Sequence, residues 1–186
     1  MTLQKLLYRY TAKLPCRLIR NEDDSPYLER YYIGKCFGVT FYLHRFVSSN
    51  AEKHLHNHPW KWARAVVLSG SYGEEVALDL CPAATPPGGS GCITTARKIR
   101  WYNKINGNHF HRIVSPSPGT WTLFFHGERE QIKNGDKHVD KGWGFLENYY
   151  GVGVHNVTLF RPFPANFPGW WETAPVGAES AREPWT

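Results

Sequence analysis

The stretch 54–70, HLHNHPWKWARAVVLSG, places histidines at three alternate positions, His54, His56 and His58, and follows them with Pro59 and an apolar run. Alternate residues of a β-strand share one face of the sheet, whereas helix residues two apart do not face each other. Proline also disfavours the interior of a helix. We therefore expect a strand that presents up to three imidazoles on one side, close enough to share one ion.

A second pair of alternate histidines follows a turn signal further along the chain. His109 and His111 come directly after Asn106-Gly107, a dipeptide typical of tight turns between strands. Two paired strands of one barrel would bring both clusters to a single point. Three histidine ligands with open positions are typical of a catalytic metal site. The two clusters together supply five candidate ligands, of which such a site would use three.

Two of these five histidines are expected to support this site rather than to bind the metal. His54 would lie beside the ligands of the first cluster. His109 would support His111, or replace it as the third ligand if a bulge follows the turn.

Short β-type runs separated by Gly and Pro turns make up most of the chain. The clearest runs are FGVTFYLHRFV at 37–47 and TWTLFFH at 120–126, which are rich in β-branched and aromatic residues. An amphipathic segment within residues 2–20 predicts a short N-terminal helix. We therefore predict a single all-β domain, with a barrel core at about 27–160 and an extended, aromatic and proline-rich arm at 161–186.

Composition limits the partners without naming one. The formal net charge is +6, with no run of five like charges, which permits a small anionic substrate, a nucleotide or a nucleic acid. No apolar stretch is long enough to span a membrane, and the start of the chain lacks the pattern of a signal peptide. A cytoplasmic protein with reduced thiols is therefore expected. A homodimer formed through an edge strand or the C-terminal arm stays open.

The histidine clusters resemble the metal-binding motifs of the cupin family. The first cupin motif is a His-x-His pair, an acidic residue about five positions on, and a glycine seven after that; a second motif supplies one more histidine. Here His56, His58 and Gly70 match the first motif, and His111 is the natural later histidine. The resemblance covers roughly residues 37–126. It is strongest to small bacterial and phage cupin-like proteins, in the segments Leu55–Trp60 and Trp121–Phe124.

Two departures from the family pattern change the expected site. Ala63 stands where a typical cupin carries its glutamate ligand. The second motif lacks the family's Pro-x-Gly, and Ser115 stands where its asparagine would be. The resemblance therefore implies a cupin-type β-barrel, or jelly roll, with a three-histidine site like that of the iron thiol dioxygenases. The implied cofactor is one divalent transition metal, with Fe(II) favoured and Zn or Mn as alternatives.

A carboxylate on the following strand is expected to act beside the metal. Either Glu74 or Glu75 would do so, since only one of them can face inward on a regular strand. We expect Glu75 to be the catalytic base and Arg112 to act with it on an anionic substrate. The residues expected to line the substrate site are Arg64, Trp60, Trp101 and Tyr102.

Three classes of function remain after these inferences. The first is a non-haem Fe(II) oxygenase that acts on a small anionic or tethered substrate. The second is a Zn- or Mn-dependent isomerase, epimerase or hydrolase, in which the metal acts as a Lewis acid. The third is a non-catalytic module that binds a nucleotide or nucleic acid through basic and aromatic residues.

Overall fold

The computed structural model describes residues 1–21, 23–81, 91–146 and 169–185. Within these ranges, one α-helix precedes a series of strands, and a short 3₁₀ helix lies near the C-terminus. In chain order the elements are α1 (Leu3–Thr11), β1 (Cys16–Arg20), β2 (Pro26–Cys36), β3 (Val39–Phe46), β4 (Leu55–Asn57), β5 (Trp62–Ser69), β6 (Tyr72–Cys81), β7 (Gly91–Ile99), β8 (Tyr102–Asn106), β9 (His111–Val114), β10 (Trp121–His126), β11 (Gln131–Asn134), β12 (Lys137–Asp140), β13 (Gly144–Leu146) and the 3₁₀ helix (Trp170–Glu172).

The helix α1 is the short N-terminal helix that the sequence predicts. Thr2 caps it, because its hydroxyl accepts a hydrogen bond from the Lys5 backbone nitrogen at 3.3 Å. The helix ends at Thr11, and residues 16–20 form β1 instead of a continued helix. No helix in the described part of the chain is long and apolar enough to cross a membrane.

The strands form two main antiparallel sheets. One has the order β1-β2-β3-β10-β5-β8, and the other has the order β13-β4-β9-β6-β7. If the eight strands from β3 to β10 are renumbered 1 to 8, the sheets read 1-8-3-6 and 2-7-4-5. This is the strand order of a jelly roll, in which two Greek keys are wound together. The predicted all-β jelly-roll fold is therefore confirmed.

The two faces of the larger sheet have different neighbours. Its inner face contributes Tyr42, Ala65 and Phe124 to an aromatic core between the sheets. Its outer face contributes Tyr31 and Trp121, which are fully buried. α1 and the end of the chain cover this outer face.

The end of the chain packs onto the body through specific contacts. The backbone nitrogen of Gly177 donates to Leu14 at 2.9 Å, and Arg45 donates to the backbone of Glu183 at 2.8 Å. Residues 147–168 lie outside the described part, so the predicted boundary between a barrel at 27–160 and an arm at 161–186 stays a prediction.

Gly70 closes the turn between β5 and β6 in a conformation that only glycine adopts without strain. Its φ is +80°, and a Cβ there would lie 2.2 Å from the hydroxyl oxygen of Thr120. The glycine of the predicted motif therefore has a steric reason: it lets this turn pack against the start of β10.

Candidate metal centre

The side chains of His56, His58 and His111 meet between the sheets. His56 lies on β4 and pairs directly with His111, the first residue of β9, while His58 follows β4. Their ligand atoms lie within 4.8 Å of one another, and the two Nε2 atoms of His58 and His111 are 2.7 Å apart. Nitrogens that bind one tetrahedral ion at the usual bond lengths are about 3.3 Å apart. The observed distances between the ligand nitrogens, 2.7 Å for one pair and at most 4.8 Å for the others, lie on either side of this value.

Burial favours the neutral, metal-binding form of His56 and His58. His58 is 5% exposed and His111 is 4% exposed. Burial, followed by the nearby His111 and His56, lowers the pKa of His58 well below its ordinary value. Burial also lowers the pKa of His56. At neutral pH both rings can therefore offer a lone pair without first losing a proton.

Glu74 fixes the orientation and tautomer of His111 from behind. The Nδ1 atom of His111 lies 2.7 Å from Glu74 Oε1, and Asn103 and Arg97 donate to the same carboxylate. Burial raises the pKa of Glu74, but the hydrogen bonds from His111, Asn103 and Arg97 outweigh it and bring that pKa below its ordinary value. An ionised carboxylate only accepts, so His111 must carry its proton on Nδ1. Its Nε2 lone pair is then free for an ion.

A cavity of about 1360 Å³ opens from the three histidines. Trp60 lies in its wall, stacked on the ring of His126 at 3.9 Å between centroids. Trp143 lies against both His58 and Trp60, at 4.9 and 5.4 Å. Aromatic rings therefore surround the side of the cluster that faces the cavity.

Comparisons with known proteins find likeness only among solved structures. No family model and no curated protein matches the sequence. KdgF from Halomonas sp. is 12% identical, over 55% of this chain and 81% of that one, with a TM-score of 0.40. The DMSP lyase DddQ from Ruegeria pomeroyi DSS-3 is 13% identical, over 62% of this chain and 56% of that one, with a TM-score of 0.44. A cupin-2 domain, Rru_A2000 from Rhodospirillum rubrum, is 12% identical, over 63% and 72%, with a TM-score of 0.41.

The strand order itself decides the fold. Jelly-roll barrels include the cupins, and here the jelly roll carries a histidine cluster between its sheets. The chain has a jelly-roll fold, the fold that cupins also have. Ala63, at the position of the usual cupin glutamate, is 1% exposed and packs in the apolar core, so it brings no carboxylate to the histidine cluster.

Glu75 and Arg112 do not reach the histidine cluster of the barrel, which contradicts their predicted catalytic role. They lie opposite each other on β6 and β9, and Arg112 Nε donates to Glu75 at 2.7 Å. Strand alternation places this pair on the face away from His111. The neighbouring Glu74 is the residue that faces inward.

The two histidines with predicted supporting roles lie in different surroundings. His109 is exposed, and its backbone nitrogen closes the Asn106 turn at 3.1 Å. The structure therefore brings His111, and not His109, beside His58. His54 lines the cavity, and its backbone accepts a hydrogen bond that raises the pKa of His56.

Three of the four predicted substrate residues point away from the cavity. Arg64 alternates with the buried Ala63 and Ala65, and its guanidinium lies over Trp62 outside the barrel. Trp101 is 80% exposed and Tyr102 is 53% exposed, at the edge of the larger sheet. Only Trp60, the fourth, lines the cavity.

Other groups in the cavity wall were missed by sequence reasoning. Glu52 Oε2 lies 3.7 Å from His56 Nδ1 and accepts from the Ile113 backbone at 2.7 Å. His44 and His126 are buried, and burial lowers the pKa of His126 to about 4. Arg30 donates from Nε to His44 at 3.0 Å. The alternation of Tyr42, His44 and Phe46 was the signal that could have placed His44 inside.

Proposed function

We propose that this protein is a metal-dependent enzyme of the non-haem Fe(II) oxygenase class. His56, His58 and His111 would hold one divalent ion, and a small anionic substrate would enter the cavity beside it. One observation supports this most: three imidazoles have their ligand atoms within 4.8 Å of one another at the wall of an aromatic cavity, and burial lowers the pKa of two of them, His56 and His58.

The hydrogen-bonding state of the cluster fits an ion. Because His111 carries its proton on Nδ1, its Nε2 lone pair points at His58 Nε2, 2.7 Å away. The other ring nitrogen of His58, Nδ1, is buried and has no hydrogen-bond partner among the described residues. If both rings are neutral and no ion lies between them, His58 either donates to His111 and leaves a bare buried lone pair on Nδ1, or sets its Nε2 lone pair against that of His111. An ion between the Nε2 atoms removes this conflict, and imidazole suits Fe, Zn, Cu and Ni.

The chain's own residues would prepare the site for an anionic substrate. Fe(II) with three protein ligands would supply open positions for substrate and dioxygen. Three neutral ligands leave the full charge of the ion uncompensated, which favours an anionic group beside it. Glu74 holds His111 in position, while Trp60 and Trp143 exclude water from the cluster.

Among the alternatives, a Zn- or Mn-dependent isomerase or epimerase needs a free base beside the ion to move a proton. Both oxygens of Glu74 already accept hydrogen bonds, and Glu75 faces the other side of β6. Glu52 accepts from a backbone nitrogen and lies beside His56. The carboxylates near the cluster in the described residues are thus engaged in positioning, and for this reason we rank the oxygenase first.

The test combines metal loading with a probe of the open positions. Protein reconstituted with Fe(II) without oxygen should bind about one equivalent and give the electron paramagnetic resonance signal of an Fe(II)–nitric oxide adduct. His58→Ala should lose both Fe(II) binding and the nitric oxide signal. His109→Ala, which removes an exposed histidine, should retain them. Oxygen uptake would then be screened with small carboxylates and phosphates. Tight Zn binding without a nitric oxide signal would instead favour the alternative.

A further inference from the structure

Arg30 extends from β2 into the same cavity and has no carboxylate within ion-pair distance among the described residues. Its Nε donates to His44 at 3.0 Å, and its guanidinium carbon lies 5.5 Å from the ring centre of Tyr42. Its two terminal nitrogens make no hydrogen bond to the described residues. β2 lies outside the eight strands of the jelly roll, so Arg30 is an addition of this chain to the common barrel.

The two fully buried cations in the described residues, Arg45 and Lys141, have anionic partners. Arg45 lies 3.3 Å from a carboxylate oxygen of Glu29 and also donates to backbone carbonyls. Lys141 lies 2.9 Å from Glu130. A buried charge is costly unless it is paired. Arg30 is half-buried and, unlike these two cations, has no carboxylate partner among the described residues, so its guanidinium fork is open to an anion in the cavity.

A second arginine in the cavity wall also has an unsatisfied group. The Nη1 atom of Arg129 is buried and has no hydrogen-bond partner among the described residues. Burial raises the pKa of Tyr42 and lowers that of His126, and the charges of both arginines act on both groups, so both arginines face the same part of the cavity. Burial lowers the pKa of Arg30 itself to about 10, which still leaves it positively charged at neutral pH.

We propose that Arg30, assisted by Arg129, binds an oxyanion of the substrate, a carboxylate or a phosphate, through the free fork of its guanidinium. The planar fork of arginine matches two oxygens of such a group. Nearby aromatic rings would hold a flat, apolar body: Tyr42 stacks with Trp170 at 6.2 Å and an interplanar angle of 15°. The identity of this anion as the substrate rests on the proposed function, whereas the anion site itself is built without the metal ligands.

The experiment measures anion binding with and without metal. Benzoate and inorganic phosphate are titrated by calorimetry into chelator-treated protein and into Zn-loaded protein. We expect Arg30→Gln to weaken binding of the preferred probe by about 10- to 100-fold in both states. Arg100→Gln is the matched control, because Arg100 is exposed and lies outside the cavity wall; it should bind like the parent.

Stability supplies an independent readout of the same site. Because Arg30 is unpaired, Arg30→Gln should melt at the same temperature as the parent protein or higher, whereas a merely structural arginine would lower the melting temperature. Binding of the probe should raise the melting temperature of the parent and not that of the variant. Should Arg30→Gln fail to fold, Arg30→Lys carries the test: it keeps the charge without the fork and should bind at an intermediate affinity.

Four outcomes overturn the proposal. They are no binding of either probe to the parent, unchanged binding in Arg30→Gln, an equal loss in Arg100→Gln, and a loss seen only in Zn-loaded protein, which would make the ion itself the anion site. Zn affinity is measured in parallel. Failure of the metal site and failure of the anion site can therefore be told apart.

Discussion

Replacing Glu74 with glutamine tests how the protein controls its histidine ligands. Glu74 is 1% exposed and accepts hydrogen bonds at 2.7 Å from His111 and Asn103 and at 2.8 Å from Arg97. Glutamine has nearly the same shape but carries no charge and can donate. His111 then no longer needs to hold its proton on Nδ1, and its Nε2 lone pair is lost in part of the population.

The expected size follows from the role of such carboxylates in metal sites. Loss of a carboxylate behind a histidine ligand typically weakens metal binding by about 10- to 100-fold, or about 1.4–2.7 kcal/mol. Arg97 should add little to this cost, because its side chain is 52% exposed and water can replace the lost partner.

Zn affinity measured by competition with a chromophoric chelator is the assay. Glu75→Gln is the matched control: it makes the same change one residue along the chain, but on the opposite face of β6, and should leave Zn affinity unchanged. If Glu74→Gln bound Zn as tightly as the parent, or if Glu75→Gln caused the larger loss, the role assigned to Glu74 would be refuted.

Three further predictions concern the fold around the site. Because burial lowers the pKa of His126 to about 4, the unfolded chain takes up a proton that the folded chain refuses. The stabilising contribution of neutral His126 is therefore complete above about pH 6.5 and declines towards pH 4 by up to about 1.4 kcal/mol per pH unit. In urea unfolding, the free energy of unfolding of His126→Asn should fall less steeply with decreasing pH than that of the parent. Parallel pH slopes would contradict this. Gly70→Ala should lower the free energy of unfolding by about 1–3 kcal/mol or more, because its Cβ would lie 2.2 Å from Thr120. Gly135→Ala, at a glycine with φ +60° and nothing within 4 Å, should lower it less. Equal losses of stability would refute the steric reason. Trp121→Ala should lose about 3–5 kcal/mol of unfolding free energy, because Trp121 is fully buried on the outer face, while the Zn affinity of the folded protein stays unchanged; a weaker affinity would show coupling to the site.

Sequence spacing predicted that His56 and His58 share a face, and the resemblance to the cupin motifs favoured His111 over His109 as the histidine that joins them. The period-two positions of His56 and His58 and the turn before His111 depend on local geometry, which a sequence shows directly. The all-β class was likewise predictable, because short β-runs and turn residues recur along the chain, whereas the jelly-roll form was implied by the resemblance to cupins.

The orientation of the residues around the cluster could not be predicted from local spacing alone. Which of Glu74 and Glu75 faces inward is set by how β6 pairs with β9, a contact between distant parts of the chain. The outward direction of Arg64 could have been predicted from the sequence, since the small apolar residues Ala63 and Ala65 flank it and take the inner positions of the strand. Arg30 was missed because β2 joins the sheet beside the jelly roll through a hairpin that the family motifs do not include.

The central claim is that three imidazoles share one ion inside the barrel, and diffraction data at a metal absorption edge test it most directly. Crystals of Zn- or Fe(II)-loaded protein should show one anomalous peak, with metal–nitrogen distances of about 2.0–2.1 Å to His56, His58 and His111. No peak at that point in loaded protein, or a peak bound by other residues, would contradict the account.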